Sequence, residues 1–357
     1  MTLGKKVIVF FVFFSLLTSL FPGLTRVQAI KKDLPITIEV NDRLELLGVI
    51  RILDKYSNYF ACEILNTVFK RDAVAWFKNY KNHPAVLIYQ KSIASGDFTD
   101  SQCREFILLL GDFPDLKVPE NLPCFFQKDE WFAWRKELLC FCEATNFSSF
   151  LLREKELYQQ VPDQFILPLK TKEDLEKIGS FFNEQKWSIR FLLSPLLFQE
   201  NQFVLVQNDQ DFQCVFIFGL SGIDNGRLLF ASNEIYANFV RDLLLKNMSK
   251  IVLDRFSDKI SKLEPLLNPI KKQMESQDIR SWKECFVEHI FLSANILLFS
   301  KDPTKEIQAW REKGFLYLSD TYELFLQYEQ YRNYFSTFYS FIPRILTQYE
   351  RILRSQK

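Results

Sequence analysis

The chain has 357 residues, enough to bury a sizeable core as one large domain or two intimate ones. Hydrophobic residues make up 48% and charged residues 25%, a balance that argues against disorder. A formal net charge of +1 implies neither a nucleic-acid partner nor an anionic membrane surface. The 37 phenylalanines against 10 glycines suggest thick helix-to-helix packing rather than a sandwich of tight turns.

The N-terminus reads as a cleavable secretory signal over residues 1–29. Lys5 and Lys6 precede an apolar run from Val7 to Leu20, and Val27 and Ala29 supply small residues at the cleavage point. The run is too short for a membrane span of about 20 residues, so no membrane contact is expected beyond the signal. Cleavage after Ala29 would take Lys+Arg from 45 to 42 against 44 acids, a net charge of −2. The expected location is periplasmic or extracellular. Seven cysteines, at 62, 103, 124, 140, 142, 214 and 285, leave at least one unpaired. Several lie in apolar runs and read as buried core residues, although an oxidising compartment would permit one or two disulfides.

In chain order, Leu34 to Val40 alternates like a short strand, and Asn41 offers a cap to a helix carrying Leu44, Leu47, Ile50 and Leu53. Asn82-His83-Pro84 closes one element and opens the next, and Thr99 caps a helix reaching residue 111. Helices are expected at 129–143, 150–160 and 171–185. The period then changes. Phe203 to Val206, Cys214 to Phe218 and Arg227 to Ala231 read as three strands of a small antiparallel sheet, with Asn225-Gly226 as a tight turn. Ser221-Gly222 also reads as a turn. A well-patterned helix follows over 235–250, capped by Asn233, and a long apolar one over 282–299. Two more close the chain within 315–353, with Pro343 expected in the first turn of the last. The fold class is α+β and predominantly α-helical. A loose boundary near residue 195 separates a mostly helical part, 30–195, from a part, 196–357, holding the sheet; together, 30–357 reads as one family domain.

Whole phrases of the mature chain resemble a family of secreted bacterial proteins described mostly as a domain of unknown function, whose members carry a His-Glu-x-x-His helix. The phrases are Arg43 to Leu47, Tyr80 to Val86, Glu288-His289-Ile290 with Ala294, Gly314 to Tyr317, Tyr328 to Tyr334 and Phe338 to Pro343. The resemblance implies a gluzincin-like zinc peptidase architecture: a sheet, a metal-binding helix, then a helix with a glutamate ligand. Carried over by position, Ala237 and Arg241 stand where the two histidines would be, Asn238 where the general base would be, and Glu288 as the third ligand.

That chemistry is altered here. Alanine coordinates nothing, a guanidinium repels a divalent cation, and Asn238 cannot take a proton from an attacking water. Leu197 to Asn201 also departs from the glycine-rich segment associated with the sheet edge in relatives. Zinc, expected in the family, is therefore not expected in this chain, and no other cofactor is implied. Arg241 facing Glu288 would form a partly buried ion pair in place of the metal. His83, Arg332 and His289 fall in family-matching phrases without an assigned role. His83 reads as a structural histidine before Pro84. His289 lies about 100° around a helix from Glu288, so the two serve one metal awkwardly. No Gly-x-Ser-x-Gly elbow, phosphate loop or dinucleotide fingerprint is present. The expectation is an exported, non-catalytic metallopeptidase-like protein that binds a peptide or protein. The alternatives are a hydrolase with a site rebuilt around Glu288, His289 or a cysteine, and a structural envelope protein.

Overall fold

The computed structural model describes residues 35–54, 67–120, 122–165, 169–183, 187–198, 201–208, 211–230 and 234–356. The segment read as a signal, Cys62 and Asn233 lie outside the described residues. The chain is α+β and predominantly helical. Its elements are β1 (Ile36–Val40), α1 (Asp42–Leu53), α2 (Val68–Phe77), α3 (Pro84–Ser95), α4 (Asp100–Leu109), α5 (Asp129–Thr145), α6 (Phe147–Gln164), α7 (Leu169–Phe182), β2 (Trp187–Phe198), β3 (Asn201–Asn208), β4 (Asp211–Asp224), β5 (Arg227–Phe230), α8 (Glu234–Asp254), α9 (Ser257–Ser261), α10 (Lys271–Glu275), α11 (Trp282–Phe299), α12 (Pro303–Glu312), α13 (Leu318–Gln330) and α14 (Phe338–Ser355).

Among the described residues, five strands form one mixed sheet in the order β1-β2-β4-β3, with β5 also on β4. β3 and β5 pair with β4 antiparallel, as the sequence suggests for this stretch. The expectation of a purely antiparallel sheet is corrected by β2, which pairs in parallel with both β1 and β4. β2 escapes pattern reading because residues 191–197 are all buried, so the strand has no polar alternation, and because it contains Pro195. A boundary at 195 would fall inside this strand, and β1 joins the same sheet from the far side of it. Central pairing is filled by aromatics: Phe191 lies opposite Phe216 with ring centroids 5.4 Å apart.

Among the described residues, side-chain caps explain half of the helix starts. The Asn41 side chain accepts from the amides of Arg43 and Leu44, and Thr99 and Gln102 form a reciprocal capping box on α4. Asn225 and Gly226 both adopt positive φ in the tight turn between β4 and β5. Ser221 and Gly222, read as a turn, instead lie inside β4 at a register shift, where the Ser221 hydroxyl donates to the Leu229 carbonyl. Pro343 is an interior residue of α14 rather than part of its first turn. The amide it lacks would have met Tyr339, and both residues lie on the exposed side, where water can satisfy that carbonyl.

α1 lies across β2, and α6 packs on β1 and β5. Around them, Phe77, Phe141, Phe147 and Phe150 interlock between α2, α5 and α6, and Trp131, Trp134, Phe98 and Phe106 form a second aromatic nest. A second set of helices, α7, α8, α11, α13 and α14, buries Trp282, Phe181, Phe325, Tyr328 and Tyr349. Each fully buried ring contributes roughly 2–3 kcal/mol. The aromatic tail is thus mainly core. Among the described residues, no helix is long and apolar enough to cross a membrane.

Candidate functional site

The helices to which the resemblance assigns metal chemistry are α8 and α11, which pack on each other antiparallel. Ser281 and Glu284 start α11 with a capping box, which sets its first turn beside the end of α8. The register follows from three contacts: Asp254 with Lys283 at 2.8 Å, Lys246 with Glu288, and the Arg241 guanidinium 4.8 Å from the centre of the Phe299 ring. Glu288 therefore meets Lys246, and not Arg241 as expected. Arg241 sits five residues nearer the start of α8, about 7.5 Å along the axis, and its charge is held by Asp242 at 2.9 Å. Ala237 and Asn238 belong to the same helix, within residues 231–239, whose side chains lie outside the described residues. α8 packs chiefly on α11 and α7, while the sheet takes its main helical cover from α1, α2 and α6. The metallopeptidase-like arrangement of sheet, metal helix and glutamate helix is not supported by this packing. Among the described residues, no three His, Cys, Asp or Glu side chains gather as a metal-holding group.

His289 points the other way around α11 and is wholly buried. Its Nδ1 lies 2.7 Å from the Cys285 carbonyl and 3.6 Å from the Cys285 thiol, and its Nε2 finds no partner among the described residues. Burial pushes the imidazole down to about 4 and the Cys285 thiol up to about 12. A cysteine nucleophile needs a thiolate beside a base that can hold its proton, and here both groups are driven to their neutral forms. The pair is core packing against Trp282, Phe315 and Tyr317. His83 behaves as the sequence suggests: its Nδ1 accepts from the Ala85 amide at 3.2 Å and caps α3, with Pro84 in the first turn. Arg332 is likewise structural, donating to the Tyr328 hydroxyl at 2.8 Å and pairing with Glu329. The described cysteines are all free thiols; Cys103, Cys142, Cys214 and Cys285 are buried, and Cys124 and Cys140 exposed.

A polar centre that the sequence reading passes over lies between α1 and β2. The pairing of β2 with β4 slips between Ser194 and Phe198, which lifts residues 195–197 off the ladder and frees the amides of Leu196 and Leu197. The Ser194 hydroxyl accepts from the Leu197 amide at 3.0 Å and donates to Glu45 Oε1 at 2.5 Å. Glu45 is fully buried, and among the described residues neither its Oε2 nor the neighbouring Tyr158 hydroxyl finds a hydrogen-bond partner. Burial pushes the carboxyl up to about 7, opposed by the polar groups nearest it, Ser194, Tyr158 and the Leu196 backbone. Enclosed between α1, α6 and β2 with no exposed surface, the group acts on the fold rather than on a substrate. The signal was available: Glu45 is one acid in a helix buried on every side from Arg43 to Leu53.

Comparison with curated proteins and with solved structures returns no match. Residues 36–348, which span every strand and helix from β1 into α14, match a family model described as "Domain of unknown function (DUF4932)". The chain belongs to that family.

Proposed function

We propose that the chain is an exported, non-catalytic member of its family that acts by binding a peptide or protein, with no zinc of its own. The observation that carries this reading is the ion pair between Lys246 and Glu288. The carboxylate to which the resemblance gives a metal is instead neutralised by an ammonium group, half-exposed on the facing helix. Divalent zinc and Lys246 would compete for the same oxygens, and the cation already in place needs no third or fourth ligand.

The binding surface in this reading is the outer edge of β3. Eight residues long and hydrogen-bonded to β4 on one side, β3 ends the sheet and can accept one more strand from an extended peptide. The test is selection from a phage-displayed library of extended peptides, followed by hydrogen exchange on the complex. Captured peptides are expected to slow exchange at amides within 201–208 by about tenfold or more. Protection confined to another surface, or no captured peptide, contradicts the reading.

A further inference from the structure

α13 and α14 form an antiparallel hairpin whose outer face is split by a groove of about 820 Å³. The hairpin is pinned at its floor by the hydroxyls of Thr321 and Tyr349, 2.5 Å apart, and near its closed end by Arg344, which donates to the Gln327 amide oxygen at 3.1 Å. One wall, from α13, carries Asp320 and Glu323. The facing wall, from α14, carries Arg344 and Arg351; the apolar lining comes from the nearly buried Leu324 of α13 and from half-buried Phe335 in the connection between the helices. Among the described residues, Asp320, Glu323 and Arg351 make no ion pair, and Arg344 bonds only the neutral Gln327.

Two acids and two bases thus face each other across a gap without closing it. In free protein each charge keeps its water, so the separation costs little. An occupant that expels that water meets acidic groups on one flank and basic groups on the other. The groove's α14 wall runs from Ser340 to Arg351, about 16 Å along the helix. That length matches about three turns of a further helix, which would lay an apolar ridge on Leu324 and Phe335.

We propose that this groove docks a helical segment of a partner protein, about three turns long, with basic side chains on the flank meeting Asp320 and Glu323 and acidic side chains on the flank meeting Arg344 and Arg351. Turning such a helix end for end exchanges its flanks, so the charges also fix the direction in which the segment lies. The site is remote in sequence from the edge of β3 and stands or falls separately from it.

The test uses the purified protein and three fluorescein-labelled helical peptides that share one leucine ridge. One has a basic and an acidic flank, one has two basic flanks and one has two acidic flanks. Fluorescence anisotropy is expected to give the mixed peptide a Kd about tenfold or more below the other two. Arg344→Glu with Arg351→Glu, at a melting midpoint equal to the parent's, is expected to transfer the preference to the doubly basic peptide. Should that variant fail to fold, Asp320→Lys with Glu323→Lys is expected to transfer it to the doubly acidic one. Equal affinity for the three, no binding of any, or an order unchanged in the folded charge-reversed protein overturns the proposal.

Discussion

Urea denaturation at pH 4.5 and at pH 8 is expected to show Glu45→Gln gaining on the parent protein by on the order of 3 kcal/mol across that interval. The folded carboxyl titrates at about 7, against 4.5 in its ordinary state. Between those values the folded protein binds a proton that the unfolded chain releases. The stabilisation is therefore complete below pH 4.5 and is lost as pH rises through 7. Above that, a carboxylate is buried among Ser194, Tyr158 and the Leu196 backbone with no cation paired to it among the described residues, and the neutral amide of the variant avoids the charge. The difference between the two proteins is the quantity to measure, because His289 acts in the opposite sense. Its folded value, depressed to about 4, makes the parent protein gain stability as pH rises toward 6.5, so the two groups partly cancel in the parent's own curve. A glutamine variant that loses ground as pH rises would mean that Glu45 is held as an anion by a partner.

Gly48→Ala is the second large effect, with an expected loss of about 2–3 kcal/mol read from the urea midpoint at constant slope. Gly48 is helical and carries no unusual φ, so an alanine there would ordinarily gain up to about 1 kcal/mol from helix propensity. Its Cβ would stand 2.5 Å from the Cβ of Leu196 and 3.1 Å from that residue's backbone carbon. The obstacle is the lifted β2 segment itself and not a side-chain tip, so shortening Leu196 to alanine is expected to give no rescue. The two effects share one cause. The slip in β2 presses residues 195–197 onto α1, which requires glycine at 48 and a hydrogen-bonding group at 45.

What the sequence reveals and what it hides divide along the range of the interaction. Caps, turns and short-range histidine bonding depend on neighbours two or three residues away, and Asn41, Thr99, His83 and Asn225-Gly226 could be read directly. The parallel pairing of β1 with β2 joins residues about 150 positions apart, and its inner strand has neither alternation nor a turn to announce it. The partner of Glu288 depends on how two antiparallel helices slide against each other, a shift of a turn and a half that no helical periodicity encodes. Glu45 is a mixed case: the lone acid among apolar neighbours is visible, while Ser194, 149 residues away, is not. Pro343 shows the converse limit, since an exposed proline is tolerated inside a helix where its lost bond faces water.

The proposed function requires that Lys246, and not a metal, satisfies Glu288. Elemental mass spectrometry of the purified protein after incubation with a slight excess of zinc and gel filtration addresses this directly, with Glu288→Gln alongside. Retained zinc well below one ion per chain, and equal in the two proteins, is the predicted result. One zinc per chain in the parent, lost in Glu288→Gln, would contradict it and return Glu288 to the role of a ligand.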